Sequence, residues 1–168
     1  MTVLRGERVV LRPPTEADVA PLAAILATPE VARWWPGEDE ETMRERVVEG
    51  EPDTTSWAVW VGDEIVGLAQ AWEEPDPMYR HGGIDVLLHP GWHGRGLGTD
   101  TVRTVARWLF EERGHHRITI DPALENERAV RCYEGAGFKR VGVLRRYWRA
   151  PDGGWRDGLL LDLLADEL

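Results

Sequence analysis

Cysteine is almost missing from this chain. Cys132 is the only one in 168 residues, so no internal disulfide can form. Apolar runs long enough to cross a membrane are missing too. The N-terminus lacks the apolar core of a signal peptide, and cytoplasm is the expected compartment. Internal repeats and low-complexity segments are absent. Positive charge is in deficit: Lys plus Arg number 20 against 30 Asp plus Glu, for a net charge of −10. That balance lacks the basic footprint that nucleic acid requires. It suits a cationic small molecule, over a range of roughly 8 Å at physiological salt, and it also serves solubility. What is present is a 42% hydrophobic, 30% charged composition. It fits a globular chain of one domain, residues 1–168.

The elements alternate in type. Arg8–Pro14 reads as a strand stopped by prolines. Thr15 opens a helix to about Ala27, and Thr28–Trp35 reads as a short second helix with Pro29 in its first turn. A third helix spans Asp39 to Gly50. Ser56–Val61 and Glu64–Trp72 flank Gly62–Asp63 as a hairpin. Gly83–Pro90 is a strand, followed by a glycine turn and a helix over about Gly96–Glu112. His116–Pro122 is a strand, and a helix from Asn126 is closed by Gly135 and Gly137. Two terminal strands surround Pro151–Gly154. The order β, helices, ββ, β, α, β, α, ββ predicts an α/β fold with a mixed sheet.

The stretch "HGRGLGT" (His93–Thr99) places three alternating glycines at the mouth of a helix. A Walker loop needs Gly-Lys-Ser/Thr, but Thr99 follows Gly98 directly. A Rossmann fingerprint needs G-x-G-x-x-G, and the spacing here is G-x-G-x-G. Two readings remain. One is a tight turn without a ligand. The other is an anion cradle built from backbone N–H groups, with Arg95 as a local cation.

The "NERAVRCYEGAGF" segment (Asn126–Phe138), taken with the glycine turn, resembles the GNAT superfamily of acyl-CoA-dependent N-acetyltransferases. Trp34–Trp35, Gly67–Trp72, Gly83–Leu88, Gly94–Thr99, Asp121–Pro122 and Arg131–Phe138 recur in the order found in its aminoglycoside 6′-N-acetyltransferase branch. That branch is also similar to lysine and hydroxylysine N-acyltransferases of siderophore synthesis. The resemblance implies a mostly antiparallel mixed sheet, flanked by helices and splayed around the acyl-CoA site. It implies acetyl-CoA as co-substrate and no metal. The partner is a cationic amine such as an aminoglycoside, with no nucleic acid or membrane, and the protein is a monomer or homodimer. The cofactor-binding residues would be Leu87, His93, Gly94, Arg95, Gly96, Leu97, Gly98, Thr99, Asn126 and Tyr133. His93 stands where the superfamily usually has Gln or Arg. A third possibility is a CoA-binding regulatory module without turnover.

Amine acetylation needs a proton acceptor for the ammonium and a donor for the departing thiolate. By resemblance, Asp85 is the acid that contacts the reacting amine and Tyr133 lies near the sulfur. Alternation puts Asp85 and Leu87 on one strand face and Ile84, Val86 and Leu88 on the other. A carboxylate of intrinsic pKa ~3.9 is a weak base, so anchoring the ammonium or relaying through water stands beside direct abstraction. Asp121, at a strand end, either binds a second amine or caps its turn. Tyr133 serves as an acid or as a core residue. Trp34, Trp35, Gln70, Trp72 and Glu73 complete the expected acceptor site, with Glu73 in an acidic loop that is otherwise a solvated surface. Cys132 reads as a buried small hydrophobe. Pro90 and Gly91 break any helix between His89 and His93, which argues against zinc.

Overall fold

The computed structural model of the protein describes residues 2–168. It opens with two short antiparallel strands, β1 (Leu4–Arg5) and β2 (Val10–Arg12). The Asp100 carboxylate fastens the turn between them. It accepts from the amides of Glu7, Arg8 and Val9 at 3.0, 2.8 and 3.1 Å. The strand expected over 8–14 is therefore shorter, and a two-residue partner precedes it. Three short helices follow, α1 (Val19–Leu26), α2 (Pro29–Ala32) and α3 (Glu40–Arg44). A 3₁₀ turn leads into α1, closed where Asp18 accepts from the amide and hydroxyl of Thr15 at 2.7 and 2.9 Å. α3 widens into one π-helical stretch, Glu45–Glu49, ended by Gly50 at φ 88.

The hairpin β3 (Thr54–Val61) and β4 (Glu64–Glu73) forms as its Gly62–Asp63 turn demands. Then come β5 (Gly82–Leu88), α4 (Leu97–Glu111), β6 (Arg117–Ile120), α5 (Glu127–Ala136), β7 (Lys139–Arg149) and β8 (Trp155–Leu164). One sheet holds all eight strands in the order β1-β2-β3-β4-β5-β6-β8-β7. Every pairing is antiparallel except β5 with β6, which α4 joins as a crossover.

The sheet is covered on both faces. Val102, Val105 and Leu109 of α4 pack with Ile84, Ile118 and Leu161. Leu22 and Leu26 of α1, with Met43 and Val47, pack with Ala58, Leu68 and Leu87 on the other face. Period-2 alternation along β5 thus sends Ile84 and Leu88 toward α4, and Leu87, with Asp85, toward α1. The parallel ladder stops after Gly82↔Ile118 and Gly83↔Thr119. Beyond those pairs β5 runs on to Leu88 and β6 to Ile120 without a shared ladder.

Candidate active site

The divergence of β5 and β6 opens a cavity of about 690 Å³. The glycine turn and the first turn of α4 form one wall. Gly94 and Gly96 adopt left-handed backbone at φ 72 and 73. No side chain caps the helix, and the amides of residues 94–99 meet no acceptor among the described residues. Those free donors, with the positive end of a 15-residue helix, suit an anion. Gly98 has a packing reason as well: a Cβ there would lie 2.9 Å from Cys132 Sγ. The Thr99 hydroxyl donates to the Cys132 carbonyl at 3.3 Å and locks α4 to α5. Desolvation pushes the Cys132 thiol up, so it stays protonated, but it is half-buried and lines the cavity rather than being the fully buried hydrophobe expected.

His93 is a bridge. Its Nε2 donates to the Leu88 carbonyl at 2.8 Å, and its Nδ1 accepts from the Arg128 guanidinium. Desolvation, foremost, lowers its basicity and favours this neutral form. Arg128 is thereby held at the cavity wall beside the amide cradle. Leu87, Leu97 and Thr99 also line the wall. Asn126 does so as the N-cap of α5, accepting from the Ala129 amide at 3.3 Å. Arg95 does not. Its guanidinium lies 4.7 Å from the Trp92 ring centroid and donates to the Gly91 carbonyl at 3.1 Å, outside the cavity.

Asp85, Asp121, Trp34, Trp35 and Tyr133 all line the same space. Burial raises the Asp85 carboxyl to about 7. The charge of Asp121 adds to the rise, and Arg46 opposes it. Burial likewise raises Asp121, against the hydrogen bond donated by the Tyr147 hydroxyl. Tyr133 is 8% exposed, and burial drives its hydroxyl far above its ordinary range, so it is a proton donor at neutral pH.

Three expected acceptor contacts lie elsewhere. Gln70 pairs in register with Asp85, but it is buried and its amide donates to the Ser56 hydroxyl at 2.9 Å. Trp72 lies across Gly83, where a Cβ would fall 1.9 Å from its ring, and meets the His81 ring edge-on. Glu73 is held by Arg113 at 2.9 Å and by buried His115 at 2.7 Å, away from the cavity. Hydrogen bonds from His115 and Arg113, with the Arg113 charge, outweigh its desolvation and lower its carboxyl, so it is ionised at neutral pH. Conversely, Glu30, Arg128 and Trp148 line the cavity without having been singled out in the sequence. The Trp148–Trp34 pair could have been sought from the "YW" of the terminal strand and the earlier "WW".

Residues 8–139 match the family model described as an acetyltransferase (GNAT) domain. Aminoglycoside N(6')-acetyltransferase type 1 of Klebsiella pneumoniae is 34% identical over 167 residues, covering 88% of this chain and 80% of that protein. The kanamycin resistance protein of Rhizobium radiobacter is 44% identical over 82 residues, covering 48% of this chain and 70% of that protein. The crystal structure of aminoglycoside acetyltransferase AAC(6')-Ib with coenzyme A and kanamycin superposes with a TM-score of 0.77 at 30% identity. That match covers 95% of this chain and 96% of the other.

Proposed function

The chain belongs to the GNAT acetyltransferase family, and from that premise we propose that it transfers acetyl from acetyl-CoA to the 6′-amine of an aminoglycoside. One observation carries the acceptor side of this reading: two carboxylates, Asp85 and Asp121, face one cavity with a free amide cradle. Both are raised by burial, so a polycation that supplies ammonium partners relieves their desolvation. The relatives' names and the bound kanamycin of the AAC(6')-Ib structure agree with such an acceptor.

The cradle fits the other substrate. Free N–H groups of residues 94–99 would hold a pyrophosphate, with Arg128 as countercharge. The left-handed Gly94 and Gly96 add no side chain of their own to that approach, and the Arg8 guanidinium lies beside Gly96. Bound acetyl-CoA supplies a thioester whose C–S bond breaks as the N–C bond forms. Asp85 accepts a proton from the acceptor ammonium, directly or through water, which frees the nitrogen lone pair. A carboxyl near 7 does this far better at neutral pH than one near ~4. The Tyr133 hydroxyl donates to the departing thiolate and recovers its proton from solvent. Asp121 and the faces of Trp34 and Trp35 hold the rest of the acceptor.

The test is thiol release from acetyl-CoA with a panel of amines. We expect turnover with aminoglycosides bearing a 6′-amine and none with analogues bearing a 6′-hydroxyl. Turnover with lysine or hydroxylysine alone would overturn the acceptor assignment. Tight CoA binding without thiol release from any amine would overturn catalysis.

A further inference from the structure

β7 does not run as the regular strand that its sequence promises. Its ladder pairs Leu144 with Gly158 and Trp148 with Arg156, so residues 145–147 stand opposite Asp157 alone. Arg146 sits at φ 50, a left-handed backbone that a long side chain seldom adopts. One contact holds it there: the Arg146 amide donates to Asp157 Oδ1 at 2.7 Å. Such a bulge re-aims side chains, and bulges gather beside active sites for that reason.

Two aromatic side chains are re-aimed. Tyr147 lays its ring over Gly158, where a Cβ would fall 2.7 Å from Tyr147 Cδ1, and its hydroxyl donates to Asp121. Trp148 lines the cavity and meets Trp34 with centroids 6.2 Å apart and planes tilted by 55°. The contact joins the outermost strand to the segment after α2. The Trp148 indole N–H is buried and has no acceptor among the described residues. A buried donor of this kind calls for an oxygen from a ligand or water. β8 also fixes the loop that carries Asp121. The Leu159 amide donates to the Pro122 carbonyl at 2.9 Å, and the Leu124 amide to the Asp157 carbonyl at 3.0 Å.

We propose that this bulge is the specificity-determining wall of the acceptor site. Trp148 and Trp34 grip a ring of the acceptor other than the one that bears the reacting amine, and Asp157 is the positioning residue that aims Trp148 and Tyr147. The inference rests on the aminoglycoside reading above. The C–H face of that ring lies on the indole face that lines the cavity. Tyr147 meanwhile keeps the Asp121 carboxylate oriented toward an ammonium.

The experiment measures kcat and KM for both substrates in full-length W148A, W148F, D157A, D157N and G158A, with a multi-ring aminoglycoside and with 6-amino-6-deoxyglucose. W148A should raise the aminoglycoside KM about 10-fold, the size of a lost stacking contact. It should leave the KM for acetyl-CoA within about twofold, and W148F should recover part of the loss. D157A should reproduce the W148A defect. D157N, which keeps the Oδ1 acceptor, should stay near wild type. G158A should raise the aminoglycoside KM by displacing Tyr147. The single-ring amine should be nearly indifferent to all five. If W148A and D157A leave the aminoglycoside KM unchanged while the wild type turns over normally, this wall is overturned alone. Equal losses for the single-ring amine would overturn it too, because they mark a general defect rather than ring recognition. A wild type without aminoglycoside turnover would overturn both readings.

Discussion

Asp85 faces two opposed demands. The strand that carries it packs on both faces, yet in the proposed reaction its side chain must take up and release a proton. Burial and the neighbouring Asp121 raise it to about 7. Between about 4 and 7 the folded protein therefore binds more protons than the unfolded chain. Stability must fall as pH rises through that window. Asp85→Asn removes the burden, so its thermal midpoint should exceed that of the wild type at pH 8 by roughly 4 °C. The gain should shrink at pH 5, as differential scanning fluorimetry at the two pH values will show. Its kcat should drop by roughly 10²-fold or more. Asp121→Asn should chiefly raise the acceptor KM, as loss of uniform binding does. The acidic limb of kcat/KM should lie near 7 in the wild type. The limb of kcat should lie lower, because a bound polycation favours the ionised carboxylates. Near-normal kcat in Asp85→Asn, with loss in Asp121→Asn, would reverse the two roles. Alternation places Asp85 with Leu87 on one face, while its role as the acid at the reacting amine comes from the family resemblance. What alternation does not reveal is which polar neighbours find partners inside the protein. Gln70 was satisfied by Ser56, and Glu73 by Arg113 and His115, through pairings 14 to 42 residues apart in sequence.

Among the elements, the glycine turn of α4 is the most transparent. Its left-handed residues, Gly94 and Gly96, and its free amides are local consequences of the glycine turn, so they could be read in sequence. The tight contact of Gly98 with Cys132 could not, because it depends on how α5 docks. It yields a paired test. Gly98→Ala pushes a methyl group to 2.9 Å from Cys132 Sγ, so α4 and α5 must separate slightly. Calorimetry should show weakened CoA binding in a folded variant. Adding Cys132→Ala should restore much of the affinity, because it clears the sulfur. No recovery would place the damage in the cradle backbone itself. The strand β1 escaped the sequence reading because two residues show no alternation, and its turn is held by Asp100, which lies far along the chain. β7 was read correctly as a strand. Its bulge was hidden because the cause, Asp157 bonding to the Arg146 amide, sits on the partner strand.

At the scale of the whole molecule the two substrates carry opposite charges, and the cavity is polarised to match. Arg128 and Arg131 line it from α5, while Glu30, Asp85 and Asp121 supply its acids. The net charge of −10 adds to the pull on a polycationic acceptor but opposes the approach of anionic acetyl-CoA. For the acceptor, local and global fields reinforce each other. For acetyl-CoA they partly cancel, and in the proposed binding mode backbone amides, which salt screens little at contact, carry much of the binding. Raising the ionic strength from 0.1 to 1 M shortens the screening length from about 10 to about 3 Å. The acceptor KM should therefore climb steeply, by about 10-fold for a tetracation, while that for acetyl-CoA changes by no more than about twofold. The steepness should scale with acceptor charge, so a single-ring monoamine should respond weakly. Initial rates over a salt series, with each substrate varied in turn, measure all three slopes. Parallel responses of the two substrates would show that the acids in the cavity do not recruit the acceptor. Asp121 would then act only by placing an amine once it has arrived.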